Sequence, residues 1–562
     1  MSSLPAFAQA TGGQASQDRH SDGDQARTVR IVVFTGQPDI DASPWWPVVL
    51  GTRGLEAVLV YRQRPRARRG AAKRFWANVR KHGPLWIPYR LGYAAVAVLR
   101  SVGRRPAASG PAAPSPAVPV DLIETDSLAQ AESLARVAAW RPDLGLSLGA
   151  PILKPAVFTL PPRGTINLHQ GKVPDFRGAP PGFWELTTGA SEIGATVHWI
   201  DAGLDTGRVI AAATAPVYAR DSLRDVQARA DELGRLVLAR ALALVAAGPV
   251  EGTPQPPGGR TFRFPLLEQR MALATRLAAR RLARALGPRA LAKTAVSVVL
   301  LAVVRPLRDL VRTLRRRHPL RVFNYHRVSC LCRDGMTVSP DRFARQLDYV
   351  RRHHDVVSLE EALAIVRSGR RLRRPAALVT FDDGYLSVFE EAWPPMRARA
   401  LPGCCFVATD LVGTSATLPH DAGSVVAPLL GLMSWAQLRT LLAAGWAVGA
   451  HSATHARLSA TTGDALVREV DGALVTLRRQ LGLEAVTFAY PFGGVDDISG
   501  EALERIRSAG YAACFSDVFG EIGPRDELFH LNRIDIGGDH ETLAWKRYAH
   551  GMNLERWRGR GA

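Results

Sequence analysis

The sequence predicts an α/β protein of more than one domain, and three observations predict it. Its 562 residues supply material for about three or four domain-sized units. From RIVVFTG at Arg30 to about Val250, strand-like runs rich in β-branched residues alternate with helix-length segments, the pattern of an α/β sheet. A second α/β region opens at VFNYHRV, residues 322–328, and runs to about Met552. There AALVTF, WAVGA and VTFA each lead into reactive residues, as catalytic groups collect at the C-terminal ends of strands in a β/α barrel. A composition of 47% hydrophobic and 22% charged residues excludes wholesale disorder, a collagen-like repeat and a small disulfide scaffold.

Taken in order, residues 1–27 lack a basic n-region and an apolar h-region and read as a polar tail rather than a secretory signal. The first domain spans 28–260. It is interrupted at 62–115 by an excursion in which Arg62–Arg105 holds 13 Lys or Arg and no acid, followed by PAASGPAAPSPAVP. Beyond TPQPPGG at 253–259, residues 261–319 form an Arg-rich helical linker. Arg276, Arg280 and Arg284 share one face of it, and Leu267, Met271, Ala274, Ala278 and Leu282 the other. Its apolar run, Thr294–Val304, is shorter than the roughly 18–20 residues that cross a bilayer, so a buried or interfacial helix is expected. The second domain spans 320–552, and 553–562 is a tail. Five cysteines without a C-x-x-C pair indicate neither a disulfide framework nor a zinc ribbon and fit a reducing compartment.

In the first domain, TINLHQGKVPDFRGAPPGFWEL and GATVHWIDAGLDTGRVI carry the chemistry. Asn167 and His169 project to one face of an extended segment, and Asp205 follows in a D-T-G turn. An amide and an imidazole can stabilise a tetrahedral oxyanion, while a carboxylate orients the ring and relays an amine proton, which is the equipment for acyl transfer to an amine. The motifs N-L-H-x-G-x-x-P-x-x-R-G and G-x-T-V-H-x-x-D-x-G-x-D-T-G resemble the formyltransferases that use 10-formyltetrahydrofolate, including methionyl-tRNA and sugar N-formyltransferases. The resemblance covers about Thr28–Pro265. It implies a Rossmann-like sheet, that cofactor, and Asn167, His169 and Asp205 as the catalytic trio.

In the second domain, Asp382-Asp383-Gly384, His451-Ser452-Ala453-Thr454-His455 and Tyr490-Pro491-Phe492-Gly493 follow the three strand-like runs. One carboxylate and two imidazoles make a three-ligand metal set with a position open to water, and a second carboxylate beside it can take that water's proton. His451 and His455, four apart, can face one ion if the turn between them is helical. T-F-D-D-G-Y, H-S-x-T-H and Y-P-F-G in this order are similar to the polysaccharide deacetylases, including nodulation-type chitooligosaccharide deacetylases, over about Leu320–Met552. The resemblance implies a (β/α) barrel in which Asp383, His451 and His455 bind zinc or a similar divalent ion and Asp382 is the general base. The backbone from Tyr490 to Phe492 would complete an oxyanion site. FAYPFG places Ala489 where the family often has Arg, which makes Arg533 a candidate replacement beside the base. The late Leu-x-x-x-His motif has no clean match; His530 or His540 would supply the acid, and His530 is the working choice.

The formal charge of +21 and a pI near 10.6 point toward an anionic partner. Arg62–Arg105 carries +13 and Arg260–Arg321 +14, so the remainder, which holds both constellations, sums to −6. The mixture of cations, aromatics such as Trp76, Trp86, Tyr89 and Tyr93, and short apolar runs suits an anionic membrane surface, with solvated helical arms as the alternative. No nucleic-acid module accompanies these segments. The expectation is a cytoplasmic enzyme, peripheral on the inner membrane face, that deacylates and formylates an amino sugar carried on a nucleotide, a lipid or an oligosaccharide. The rivals are a formyltransferase acting on charged tRNA and a membrane-bound scaffold with inactive sites.

Overall fold

Valine, isoleucine and phenylalanine in unbroken runs, rather than in alternation with polar residues, mark strands that are covered on both faces. Ile31, Val32, Val33 and Phe34 are such a run, and all four are buried at the centre of the first sheet. The computed structural model describes residues 28–64, 71–84, 86–88, 90–91, 118–523, 526–538 and 542–553. The predicted tail at 1–27, all of the predicted tail at 553–562 except Asn553, Tyr89, Tyr93, most of the 62–115 excursion and His540 lie outside the described residues. The chain divides into two compact units, Met1–Arg281 and Leu282–Ala562.

The first unit is built on β1 (Val29–Thr35), β2 (Leu55–Gln63), β3 (Val120–Thr125), β4 (Leu144–Ser147), β5 (Thr165–His169), β6 (Glu192–Trp199) and β7 (Val209–Pro216). Their order is β3-β2-β1-β4-β5-β6-β7, parallel through β5 and antiparallel thereafter, a Rossmann-like arrangement whose strand order reverses beside β1. Helix α1 (Leu223–Ala247), started by a Ser222–Asp225 capping box, buries Val226, Leu233 and Val237. Arg62 lies within β2 and pairs with Glu124 on β3 at 2.6 Å, so the basic excursion leaves the sheet after Gln63. Thr261–Phe262, expected to begin the linker, pairs instead with Arg177–Gly178 of the first unit.

Helix α2 (Leu267–Ala285) reverses an expectation about its faces. Only Leu267 and Leu273 are buried, Met271 and Leu282 are exposed, and Arg276 turns inward. The Arg276 guanidinium donates to the carbonyls of Leu186 and Thr187, which end a short helix where no following helical amide donates to them.

The second unit is a closed barrel of seven parallel strands: β8 (Leu320–Tyr325), β9 (Ala376–Phe381), β10 (Cys404–Val407), β11 (Ala447–Ala450), β12 (Phe488–Ala489), β13 (Cys514–Phe519) and β14 (Leu531–Asp535). Closure comes from β8, which bonds to both β9 and β14. The two-residue period sorts each strand. Phe323, Val379 and Phe381 join one apolar cluster, while Val322, Leu378 and Phe406 join another. Ascending β9, Leu378, Thr380 and Asp382 share a face, so the apolar filling gives way to polar groups as the strand approaches its C-terminal end.

Helix α3 (Pro288–Arg315) corrects the expectation for Thr294–Val304. That run is the middle of one continuous 28-residue helix, long and apolar enough by length and composition to cross a membrane, and only 6% of its most apolar window is buried. The run ends at Arg305-Pro306, but the helix does not, because Leu300–Val304 form a π turn. The wider turn relieves the clash between the proline ring and the carbonyl four residues earlier.

Candidate active sites

In the first unit β5 ends at His169, and its pleat sets Asn167 and His169 on one face. Asn167 stands opposite His198 of β6 in the antiparallel register. The D-T-G turn then brings Asp205 back against this face. Its Oδ1 lies 3.4 Å from Asn167 Nδ2 and 3.5 Å from His198 Nε2, and its Oδ2 lies 3.4 Å from His169 Nδ1. The Gly178 amide donates to Asp205 Oδ2 at 2.9 Å. His169 Nε2 sits 2.7 Å from the Phe176 carbonyl, a contact that needs Gly171, where a Cβ would lie 2.4 Å from that nitrogen. A neutral His169 therefore carries its proton on Nε2 and turns an acceptor Nδ1 toward Asp205. Burial lowers the His169 pKa despite the nearby carboxylate. Burial alone would raise Asp205, but the His198 hydrogen bond and the neighbouring imidazoles hold it below its ordinary value. His198, within the quoted T-V-H motif, is a member of this cluster that spacing did not single out.

In the second unit Asp382 and Asp383 emerge from β9 at the C-terminal mouth of the barrel. Asp382 is fully enclosed. Arg533 of β14 donates to both its oxygens at 2.7 Å, and Asn324 of β8 donates to Oδ2 at 2.9 Å. Arg533 also reaches Asp517 of β13 at 2.8 Å. Burial would raise the Asp382 pKa, yet the guanidinium holds it low. The structure thus seats Arg533 beside the carboxylate proposed as base, from the opposite end of the domain's sequence.

Asp383 turns the other way, into three imidazoles. His455 Nε2 is 3.1 Å and His451 Nε2 3.5 Å from Oδ1, and His420 Nε2 is 3.6 Å from Oδ2. Both Asp383 oxygens are buried without a well-aligned hydrogen bond, a costly state unless a cation fills the space between the ligands. Asp383, His420 and His455 bring ligand atoms within 4.8 Å of one another, so the donor set fits a divalent ion. His326, Asp382 and Asp517 form a second such group, but Arg533 already supplies its positive charge. His451 donates Nδ1–H to the Ala489 carbonyl at 2.8 Å, which turns Nε2 toward Asp383, and burial pushes its pKa down to about 4.

Several expectations change here. The His451–His455 segment is not helical; Ser452 and His455 adopt φ of 61° and 64°, and the bend is held by Glu469, which accepts from the Ala453 and Thr454 amides. Tyr490 offers no oxyanion donor, because its amide donates to Phe515 and its side chain is buried in the core. The Phe492 ring lies 5.0 Å from that of His455. His530 is exposed and precedes β14, so it lies at the N-terminal end of the barrel, opposite the site. The buried histidine at the correct end is His326, directly after β8 and 3.6 Å from Asp535. Burial lowers its pKa, but Asp535, Asp383, Asp382 and Asp517 together raise it above its ordinary value. His420, on the loop after β10, is anchored by a 2.7 Å contact with the Tyr385 hydroxyl. Of eight non-glycine residues with positive φ among the described residues, five belong to these two sites: Asp205, Asp383, Ser452, His455 and Phe492.

These two geometries coincide with two family matches. Residues 100–242 match the formyl transferase family and residues 369–514 the polysaccharide deacetylase family, so the chain joins a formyltransferase domain to a hydrolase domain for C–N bonds. Methionyl-tRNA formyltransferase of Pseudomonas fluorescens (strain SBW25) is 35% identical over 148 residues, 26% of this chain and 47% of that protein. The chain spans about half the length of the curated relatives it matches. Among solved structures, IcaB from Ammonifex degensii is 26% identical, covering 41% of this chain and 96% of its own, with a TM-score of 0.34. The formyltransferase PseJ from Anoxybacillus kamchatkensis, in complex with UDP-4,6-dideoxy-4-formamido-L-AltNAc and tetrahydrofolate, is 25% identical, covering 28% and 79%, with a TM-score of 0.24.

Proposed function

We propose that the second unit is a metal-dependent N-deacylase of an amino sugar, and that the first transfers a formyl group from 10-formyltetrahydrofolate to a sugar amine. The observation that carries the first part is the bare, buried Asp383 carboxylate ringed by imidazoles beside an ionised, Arg-clamped Asp382. Asp383, His451 and His455 would hold the metal, zinc by donor type, with His420 in reach, and the ion would supply Lewis acidity toward the amide carbonyl. Asp382 accepts the proton of the attacking water as its oxygen bonds to the carbonyl carbon. When the C–N bond breaks, His326 gives a proton to the amine nitrogen, so amide and water become carboxylate and ammonium.

In the first unit the His169–Asp205 pair, both held below their ordinary pKa values, stands ready to take the proton that an attacking amine sheds. Asn167 Nδ2 is positioned to donate to the oxyanion. A sugar acceptor is favoured because the neighbouring domain belongs with carbohydrate chemistry. Charged tRNA is the second reading, favoured by the name of the curated relatives. Cytoplasmic residence follows from the folate requirement in this reading.

The test is to incubate the full chain, loaded with zinc, with N-acetyl, N-formyl and free-amine sugars and with methionyl-tRNA, with and without 10-formyltetrahydrofolate, and weigh the products. Acyl loss that vanishes in Asp383→Ala and formyl gain on sugar that vanishes in His169→Ala are expected. Formyl gain on the tRNA alone would overturn the sugar assignment.

A further inference from the structure

We propose that α3 docks the barrel unit onto an acidic phospholipid surface, lying in the plane of the bilayer. The helix is amphipathic in the wrong sense for water. Ser297, Arg305, Arg308 and Arg312 face the unit, whereas Leu291, Val299, Val303, Leu307, Leu310 and Leu314 face out. Val303 is 54%, Leu307 62% and Leu314 76% exposed. A surface helix of a globular protein turns its apolar stripe to the core, so the medium outside this one must itself be apolar.

The polar face is engaged along its length. Arg312 pairs with Glu521 at 2.6 Å, Arg308 donates to the His550 carbonyl at 2.6 Å, and Arg305 approaches His353 at 3.4 Å. A helix fastened this way along one side, with ion pairs at that face, cannot be surrounded by hydrocarbon, so it lies in the interface although its length of about 42 Å would span a bilayer.

Two observations select lipid over a protein partner. The outward row is aliphatic throughout and lacks the aromatic anchors that dominate protein interfaces. Cations flank it: Arg289 and Lys293 near one end, Arg315, Arg316 and Arg317 at the other, and Leu282–Arg317 holds nine basic residues against the single acid Asp309. Near the C-terminal end an open groove of about 600 Å³ sets Val304, Leu307 and Val311 beside Arg315 and Arg317, a combination that suits a phosphate headgroup with its acyl chain beside it.

The test is flotation of the full chain on a density gradient with vesicles of phosphatidylcholine alone or mixed with phosphatidylglycerol. It is scored without any sugar, so its outcome stands apart from the deacylation reading. The expected result is flotation with the mixed vesicles that survives a high-salt wash, because aliphatic insertion is not screened. Leu307→Glu/Leu310→Glu/Leu314→Glu, and the milder Leu307→Ser/Leu314→Ser, should drop flotation to or toward the vesicle-free control while far-UV circular dichroism is unchanged. Wild-type protein that stays at the bottom with mixed vesicles, or a folded triple variant that floats as well as wild type, overturns the proposal. So does a dimer in water that the same substitutions split, which would make the cover a second copy.

Discussion

Arg533 and Asp382 are both shielded completely from solvent, and each is the other's principal counter-charge. Arg533→Met would leave the buried Asp382 carboxylate, and the partly buried Asp517 beside it, without their cation, at a cost of about 3–5 kcal/mol; thermal unfolding of the barrel should show a large drop in midpoint. Arg533→Lys should fall between, since it keeps the charge and loses the two-pronged fit. For the proton donor, His326→Ala should lower kcat by about 10²–10⁴-fold, whereas His530→Ala should leave turnover of an N-acyl sugar unchanged; the reverse pattern would return the acid to the far end of the barrel. In the first unit, a Cβ at Gly207 would sit 1.7 Å from the Trp199 carbonyl, so Gly207→Ala should displace the turn that aims Asp205 and abolish formyl transfer while the deacylase continues. Asp382, Asp383, His451 and His455 were legible in sequence because short spacing tied each to a strand end. His326 sat in the quoted NYHRV without a role, since only closure of the barrel brings β8 against β9 and β14. His420 belongs to no spacing pattern, being delivered by a loop that Tyr385 and Arg327 tie down through Asp421.

At the scale of elements, periodicity identifies an amphipathic helix but not which face meets protein. On α2 and α3 arginines took the inward face because unpaired carbonyls and Glu521 awaited them there. The segment Thr542–Ala549 and the residues after it close over α3 and the helix Pro340–His353, and this junction holds a titration prediction. His354 donates Nδ1–H to the Val350 carbonyl and accepts at Nε2 from Arg321, so it is neutral. Burial and that guanidinium push its pKa down to about 3. The His550 pKa is likewise lowered, by burial and by Arg305 and Arg321. The folded state therefore binds fewer protons than the unfolded one between about pH 6.5 and 3, and stability falls as pH falls through that window. Through these two histidines, urea midpoints for the barrel should decline as the pH falls below about 6.5. His354→Gln, which keeps an acceptor for Arg321, should make the decline shallower; an equal slope in the variant would remove His354 as its source.

For the whole molecule, the alternation of strands and helices forecast the α/β class, because burial on both faces writes itself into the sequence as unbroken apolar runs; the open sheet and the barrel were expected from the two family resemblances. The paired chemistry predicts separable activities. A chelator should abolish acyl loss and leave formyl gain intact, and Asp383→Ala should do the same; a joint loss would mean the two units depend on each other. Closure of the barrel also orders events during synthesis. Asp382 is translated 151 residues before Arg533, and the strand that bears Arg533 completes the ring. A growing chain that has released β8 through β13 from the ribosome still holds a carboxylate that cannot be buried, and it has an open edge on each side of the gap. The site is thus withheld until the strand Leu531–Asp535 is made, and a chain that stops before Arg533 has no assembled site, whatever motifs it retains.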